Sequence, residues 1–339
     1  MPDKEPLILA IESSCDETSV AIIKGRKILA NITATQAVHQ QFGGVVPELA
    51  SRAHLQNIWP TLHQAVIEAN VDINRLNAVA FTRGPGLMGA LLVGVSFAKG
   101  LALSLNLPLI EVNHMQAHIL AHLIEGETPG PTFPFLCLTV SGGHTQIVLV
   151  KDALDMEVIG ETIDDAAGEA FDKVAKILGL PYPGGPLIDK YAQSGNPKAF
   201  TFPIPQTNKF EYSFSGIKTS FLYFINEQVA KNPNFINERL TDICASIQSH
   251  IINYLLQKFI NCAKQYKIKN LAIAGGVSAN SLLRLELIKL KTKGYNVFIP
   301  PFEFCTDNAG MIAIAAYYKY LANDFTTHAV APLAKMSIT

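Results

Sequence analysis

Apolar positions in this chain fall into short runs broken by polar turns, alternating with longer stretches of helical spacing. Leu7-Ile-Leu-Ala-Ile11 is one such run; it breaks at Glu12-Ser-Ser-Cys-Asp16-Glu17-Thr18-Ser19 and resumes as Val20-Ala-Ile-Ile23, a strand, turn and strand. The pattern recurs 127 residues later. Phe135-Leu-Cys-Leu-Thr139-Val140 breaks at Ser141-Gly142-Gly143-His144-Thr145-Gln146 and resumes as Ile147-Val-Leu-Val150, so Ile11 aligns with Leu138 and Val20 with Ile147. A β-turn-β unit opening each half predicts an α/β chain of two duplicated domains with a cleft between them. The first turn is acidic, suited to a metal or a hydroxyl; the second is glycine-rich, suited to phosphate oxygens through its backbone N–H groups. Two ordinary hairpin turns are the alternative.

The pattern predicts a third strand over 28–34, a helix from Glu48 to about Ala69 carrying Arg52, His54 and His63, and a strand from Leu76 to Thr82. Gly84-Pro-Gly86-Leu-Met-Gly89 then opens an apolar helix to Leu103. This is formally a dinucleotide fingerprint, but Pro85 fixes φ and removes an N–H that a pyrophosphate needs. It reads instead as a glycine-lined helix start that packs closely or lines a cleft. The run Gly84–Ile110 is the most membrane-like in the chain, yet Lys99, Asn106 and Pro108 interrupt it, which predicts a buried helix and a strand.

Residues 125–134 form the clearest linker. Beyond it come a strand over 156–160, a helix over 164–176, and a Pro- and Gly-rich stretch from Gly179 to Ser215 that reads as a long functional loop. Helices are predicted over 218–226 and 240–266, then a buried strand over 270–274 ending in Gly275-Gly-Val-Ser-Ala-Asn280, a helix to about Lys291, a strand over 297–300 and a last helix over 311–320. Asn280 and Thr306-Asp307-Asn308 both sit where a strand ends and a helix begins, a junction that presents backbone N–H groups to an anion and short polar side chains to a ligand.

The candidate chemistry centres on Asn113-His114-Met-Gln-Ala-His118-Ile-Leu-Ala-His122. On a helix, residues four apart stack on one face, so His114 and His118 offer one metal a bite; hydrogen-bonded or solvated histidines are the plainer reading. Zinc proteases carry a Glu directly after the first His, and here that position is Met115, which disfavours a metalloprotease. A third ligand must come from elsewhere, as a carboxylate. Asp307 by itself reads as a helix cap, and alternatively as that third ligand.

With 49% hydrophobic residues, 16% charged and a net charge of −1, the composition is that of a compact globular chain without the basic excess of a nucleic-acid binder. Five scattered cysteines, none in a C-x-x-C pair, read as reduced thiols of a cytosolic protein, and the charged Met-Pro-Asp-Lys-Glu-Pro start leaves no room for a signal peptide.

Together Ile11-Glu-Ser-Ser-Cys-Asp-Glu-Thr, His114 with His118, Val140-Ser-Gly-Gly-His-Thr-Gln, Asp164-Asp-Ala-Ala-Gly-Glu-Ala-Phe-Asp-Lys, Tyr182-Pro-Gly-Gly-Pro, Phe214-Ser-Gly-Ile-Lys-Thr, Gly275-Gly-Val-Ser-Ala-Asn and Cys305-Thr-Asp-Asn resemble the TsaD/Gcp family, over about residues 7–320. This family comprises the tRNA threonylcarbamoyladenosine transferases, once labelled sialoglycoproteases. The resemblance implies an actin-like (ASKHA) fold of two RNase-H-like domains with mixed five-stranded sheets, over 1–125 and 131–309, with an insertion over about 165–225 and the final helix, about 310–339, returning to the first domain. It implies transfer of threonylcarbamoyl from threonylcarbamoyl-AMP to N6 of adenosine 37 in tRNAs reading ANN codons, giving t6A, by a cytoplasmic acyltransferase. His114, His118 and Asp307 match the family's ligands to one Fe2+, with Zn2+ as the alternative ion. Thr139, Val140, Ser141, Gly142, Gly143, Asp172, Gly185, Asp189 and Asn280 match positions that hold the adenylate or its carbamoyl arm, and ATP is the other nucleotide expected there. Asp16 and Glu17 are candidates for steering the incoming amine or its proton, and His122 has no counterpart, reading as a surface residue or one behind the ligands. The implied partners are tRNA, a paralogous TsaB-type dimerisation subunit and a TsaE-type ATPase, with no membrane. The alternative on the same fold is an ATP-hydrolysing or sugar-kinase-like enzyme.

Overall fold

The computed structural model describes residues 5–338. In chain order the first elements are β1 (Leu7–Glu12), β2 (Thr18–Lys24), β3 (Lys27–Ala34), α1 (Pro47–Ala69), β4 (Ala78–Gly84), α2 (Met88–Leu105), β5 (Leu109–Asn113) and α3 (His114–Leu120). There follow β6 (Phe135–Val140), β7 (Thr145–Asp152), β8 (Asp155–Glu161), α4 (Ala167–Ile177), α5 (Gly184–Ala192), α6 (Ser215–Lys231), α7 (Phe235–Tyr266), β9 (Asn270–Ala274), α8 (Ser281–Lys289), β10 (Asn296–Phe298) and α9 (Ala309–Leu321). The chain divides into two compact units. One holds the residues up to Pro131, Lys151–Met156 and the chain from Pro300; the other holds Thr132–Val150 and Glu157–Ile299.

Each unit is built on a five-stranded mixed sheet, in the orders β3-β2-β1-β4-β5 and β8-β7-β6-β9-β10. The orders are the same sentence written twice: a hairpin strand in the centre, its antiparallel partner on one side, parallel strands on the other. Registers agree too, since Ile11 faces Val20 in β1–β2 and Leu138 faces Ile147 in β6–β7. The central strands are buried on both faces, which is why Ile8–Ile11 and Leu136–Leu138 are runs without alternation. Leu9, Ile11, Phe81 and Val95 anchor the first core; Leu138, Phe171, Ile247 and Leu283 anchor the second.

Three expectations change. The stretch from Gly179 to Ser215 is not one loop, because α5 forms inside it. Its Gly184-Gly185-Pro186 start resembles loop chemistry, but proline is tolerated in a first helical turn, where its missing N–H has no partner to lose. Among the described residues α2 is the one helix long and apolar enough to cross a membrane by length and composition. Only one of its faces is buried, that of Leu91, Val95 and Ala98, while Leu92 and Leu103 are exposed. The helix expected from Leu240 is the continuation of α7 past Arg239, whose φ of −122° and ψ of 16° interrupt the helix there.

Glycines expected to pack closely do so. A Cβ on Gly86 would lie 2.5 Å from the Ser14 carbonyl oxygen, and Leu87 N donates to that oxygen at 2.7 Å. The Gly84–Gly89 turn therefore supports the acidic turn between β1 and β2.

Candidate active site

The first unit gathers the histidines and the distant aspartate. β5 delivers the chain to α3, where Asn113 Oδ1 caps the helix by accepting from Met115 N at 2.9 Å and Gln116 N at 3.1 Å. His114 and His118 then fall one turn apart, ring centroids 4.7 Å from each other. Asp307 stands just before α9, which packs against α3 and β1. Asp307 Oδ1 is 3.0 Å from His118 Nε2 and 3.3 Å from His114 Nε2. One ligand atom from each of the three residues lies within 4.8 Å of the others. Asn308, not Asp307, caps α9, its Oδ1 accepting from Met311 N at 3.1 Å, so the aspartate is released from the plainer role.

Behind His114 stands Glu12, at the end of β1 and wholly inaccessible to solvent. Its Oε2 is 3.0 Å from His114 Nδ1 and accepts from Thr82 Oγ1 at 2.5 Å, while its Oε1 accepts from Ser14 N at 2.5 Å. A carboxylate on the rear nitrogen of a histidine fixes its tautomer and raises its basicity, the arrangement found behind ligating histidines. Glu12, Ser14 and Thr82 were not singled out by the sequence, although a carboxylate closing a buried apolar strand is a readable signal.

Burial opposes every charge here, and the close partners overrule it. Burial drives the His114 imidazolium toward neutrality, but Asp307 and then Glu12 push its pKa well above the ordinary value. Burial raises the Asp307 carboxyl, yet His114 and then His118 hold it well below the usual carboxylate range. The same opposition, with His114 winning, lowers Glu12. Glu17 goes the other way: burial, then the charges of Asp307 and Asp16, push it up to about 9.

The donor set fits a divalent cation. Two imidazoles and one carboxylate leave coordination positions open, as Fe2+ and catalytic Zn2+ sites do. His118 Nδ1, the ring nitrogen opposite the one that meets Asp307, is buried without a hydrogen-bond partner, so this ring lacks the carboxylate support that Glu12 gives His114. His122 is buried rather than on the surface.

Asp16 and Glu17 lie half-buried on the β1–β2 turn. The turn is pinned by His54 of α1, whose Nδ1 is 2.8 Å from Thr18 Oγ1 and whose Nε2 is 3.0 Å from the Cys15 carbonyl oxygen. Burial lowers the His54 pKa, opposed by that Cys15 bond.

The second unit brings the remaining expected residues into one chain of contacts. Thr139 and Val140 end β6 in the core, and Ser141 closes the turn by donating from its N to His144 O at 2.9 Å. Gly142 and Gly143 are exposed, and a Cβ added to either would meet nothing within 4 Å. Two further glycines let backbone press on this turn: a Cβ on Gly168 would come 2.6 Å from Ser141 O, and one on Gly275 2.5 Å from Val140 O. Asp172 of α4 accepts from Gly184 N at 2.8 Å and Gly185 N at 3.2 Å, capping α5. Burial raises its pKa against those two bonds. Asp189 accepts from Ser281 N at 3.1 Å and Ser281 Oγ at 2.6 Å. Asn280 caps α8 through Leu283 N at 3.0 Å and donates to Gln248 Oε1 at 2.8 Å. These three side chains thus tie helix starts together, a role the sequence did not predict.

A sequence profile described as TsaD, tRNA N6-adenosine threonylcarbamoyltransferase, matches residues 27–314. Relatives under that name include one from Riemerella anatipestifer, 59% identical over 337 residues and covering 99% of each chain. Another, from Christiangramia forsetii, is 61% identical over 332 residues, covering 97% of this chain and 98% of its own. Among solved structures, full-length HypF in its phosphate- and nucleotide-bound form superposes with a TM-score of 0.62 at 16% identity over 95% of this chain. HypF from T. kodakarensis gives 0.64 at 13% over the same share. This chain spans about half the length of those two structures, 47% and 49%, and the likeness bears on the actin-like fold alone. By profile and by identity the chain belongs to the TsaD family, the tRNA N6-adenosine threonylcarbamoyltransferases, acyltransferases that form t6A in tRNA.

Proposed function

We propose that the threonylcarbamoyl donor is threonylcarbamoyl-AMP, that the acceptor is N6 of adenosine 37 in tRNAs reading ANN codons, and that His114, His118 and Asp307 hold one Fe2+, or Zn2+, for this transfer. The convergence of those three ligand atoms within 4.8 Å, with Glu12 behind His114, is the observation that carries the reading. A cation bound there supplies Lewis acidity toward the carbamoyl carbonyl oxygen.

The donor is a mixed anhydride, so the amine can attack its carbamoyl carbon directly, with AMP leaving and the N6 proton passing to an acceptor. No protein nucleophile is needed, and the protein's share is position and charge. Gly142 and Gly143 present open backbone to the nucleotide, supported from behind by Gly168 and Gly275. Thr139, Val140 and Ser141 carry that turn. Asp172, Asp189 and Asn280 keep spare acceptor capacity for hydroxyl groups while holding helix starts together, and Gly185, whose N–H is held by Asp172, gives close approach to backbone. Asp16 and Glu17, the latter held above the usual carboxylate range by burial and then by the charges of Asp307 and Asp16, steer the incoming amine or its proton.

Five free cysteines support a reducing, cytoplasmic setting. Leu55 and Trp59 of α1 and Leu92 of α2 are exposed apolar side chains, near where Ser51 of α1 meets Gly89 of α2. They support contact with a TsaB-type subunit, which with a TsaE-type ATPase completes the set of proposed partners.

The test combines His114→Ala with tRNA analysis by mass spectrometry. The variant is expected to lose bound metal and t6A formation together. A metal-free variant with full transfer would refute the Lewis-acid role. ATP hydrolysis without tRNA at a comparable rate, and no t6A, would refute the reaction itself.

A further inference from the structure

Among the described residues the chain after α9 forms no helix and no strand beyond an isolated bridge at Thr326, yet it is fastened along its length to the first unit. Thr326 N donates to Leu109 O at 2.9 Å, Leu333 N donates to Arg83 O at 2.8 Å, and Gly86 N donates to Ala334 O at 3.2 Å. Arg83 Nε reaches Ala331 O at 3.1 Å. Gly84 is a glycine for this reason, since a Cβ there would collide with Leu333 O. The segment then crosses the start of α3. Asn113 Nδ2 donates to Ser337 O at 2.7 Å and Gln116 Nε2 to Ile338 O at 2.7 Å, with Ile338 buried.

Those last two bonds flank His114. Helix α3 has only seven residues, too few to hold its own shape in water, so outside contacts set its orientation. Asn113 works at both ends: its carbonyl oxygen caps the helix, and its amino group is taken by Ser337 O. An amide so held cannot flip, because a flip would set oxygen against oxygen and leave two helix N–H groups without an acceptor. Gln116 lies midway between the two histidines in sequence and is held by the neighbouring carbonyl.

We propose that Thr326–Ile338 is a strap whose Ser337 and Ile338 carbonyls, through the positioning residues Asn113 and Gln116, hold the histidine helix in register with Asp307. The inference rests on the metal-site reading for its meaning but not for its test. Anything that fixes α3 from the metal side must also favour the docked strap, because linkage between two sites is reciprocal.

Two variants separate positioning from folding. One lacks the chain from Lys335 onward. The other is Asn113→Ser/Gln116→Met, in which Ser keeps a capping oxygen but cannot reach Ser337, and Met keeps the length of Gln without its donor. Three measurements are made on each: amide hydrogen exchange over residues 115–120 in metal-free protein, affinity for Zn2+ and for anaerobic Fe2+ by chelator competition, and the split between kcat and KM for tRNA. The strap predicts exchange at 115–120 at least tenfold faster while the β1 and β6 amides stay protected. It also predicts metal affinity weakened about tenfold, the scale of losses behind ligating histidines, with kcat lowered and KM for tRNA held. Unchanged exchange and unchanged metal affinity in the double variant would overturn it, whatever the deletion does to folding. If the wild-type protein binds neither ion, the metal reading fails alone, and the exchange measurement still decides the strap.

Discussion

Glu12→Gln offers the sharpest test of how the site is organised. The substitution keeps shape and hydrogen-bonding length at a position with no solvent access. One oxygen remains to accept from Ser14 N, and Thr82 Oγ1 can rotate to accept from the new amino group. The loss is concentrated at His114. Its Nδ1, 3.0 Å from Glu12 Oε2, would face an N–H and would have to become the acceptor. A neutral ring, the form a cation needs, would then keep its one proton on Nε2, the nitrogen 3.3 Å from Asp307 and the one available to a cation. A charge-assisted hydrogen bond is worth roughly 1.5–3 kcal/mol, which sets the expected loss of apo stability. Metal affinity is expected to fall about 10–100-fold, the range for removing the group behind a ligating histidine. Urea unfolding of metal-free protein reads the first quantity and chelator competition the second. Wild-type metal affinity in Glu12→Gln would refute the reasoning, because it would mean that the tautomer of His114 is not set by this carboxylate.

Other outcomes follow from the same structure. Gly168→Ala, whose Cβ would sit 2.6 Å from Ser141 O, is expected to cost about 1–3 kcal/mol by forcing backbone apart. Gly142→Ala meets nothing within 4 Å and should change stability by less than about 0.5 kcal/mol. A rise in KM for the adenylate in Gly142→Ala at unchanged stability would place the nucleotide at that turn, and an unchanged KM would remove it from there. His54 titrates below its ordinary value because of burial. In the window from about pH 6.5 down to its folded pKa the unfolded chain therefore binds more protons, and stability falls as pH falls. His54→Asn should flatten that decline between pH 7 and 5 in urea titrations. An equally steep decline in the variant would show that other groups cause it.

The repeated hairpins were legible because a buried strand and a polar turn leave their signature in a few adjacent residues, and Ile11–Val20 and Leu138–Ile147 pair as their alignment predicts. His114 and His118 were legible for the same local reason, the helical spacing. Asp307 was ambiguous because a cap and a ligand use the same side chain at the same kind of place, and in the structure it is Asn308 that caps α9 through Met311 N. Glu12 stayed hidden because its neighbour in space, His114, is far along the chain. Helix α5 was missed because glycine and proline mean both turn and first helical turn, and the cap that decides between them, Asp172, comes from another helix. The bonds of Asp189 to Ser281 and of Asn280 to Gln248 were invisible because each partner comes from a different element.

The three convergent side chains also fix an order of events in the cell. His118 and Asp307 are 189 positions apart, and nearly all of the second unit is translated between them. At about 5–20 residues per second, a ribosome takes roughly 10–40 s to cover that distance. Throughout that interval the emerging polypeptide owns the two imidazoles and not the Asp307 carboxylate that stands just before α9. On the proposed metal reading, a filled centre would therefore report that synthesis has run past Asp307 and that the last helix has come home.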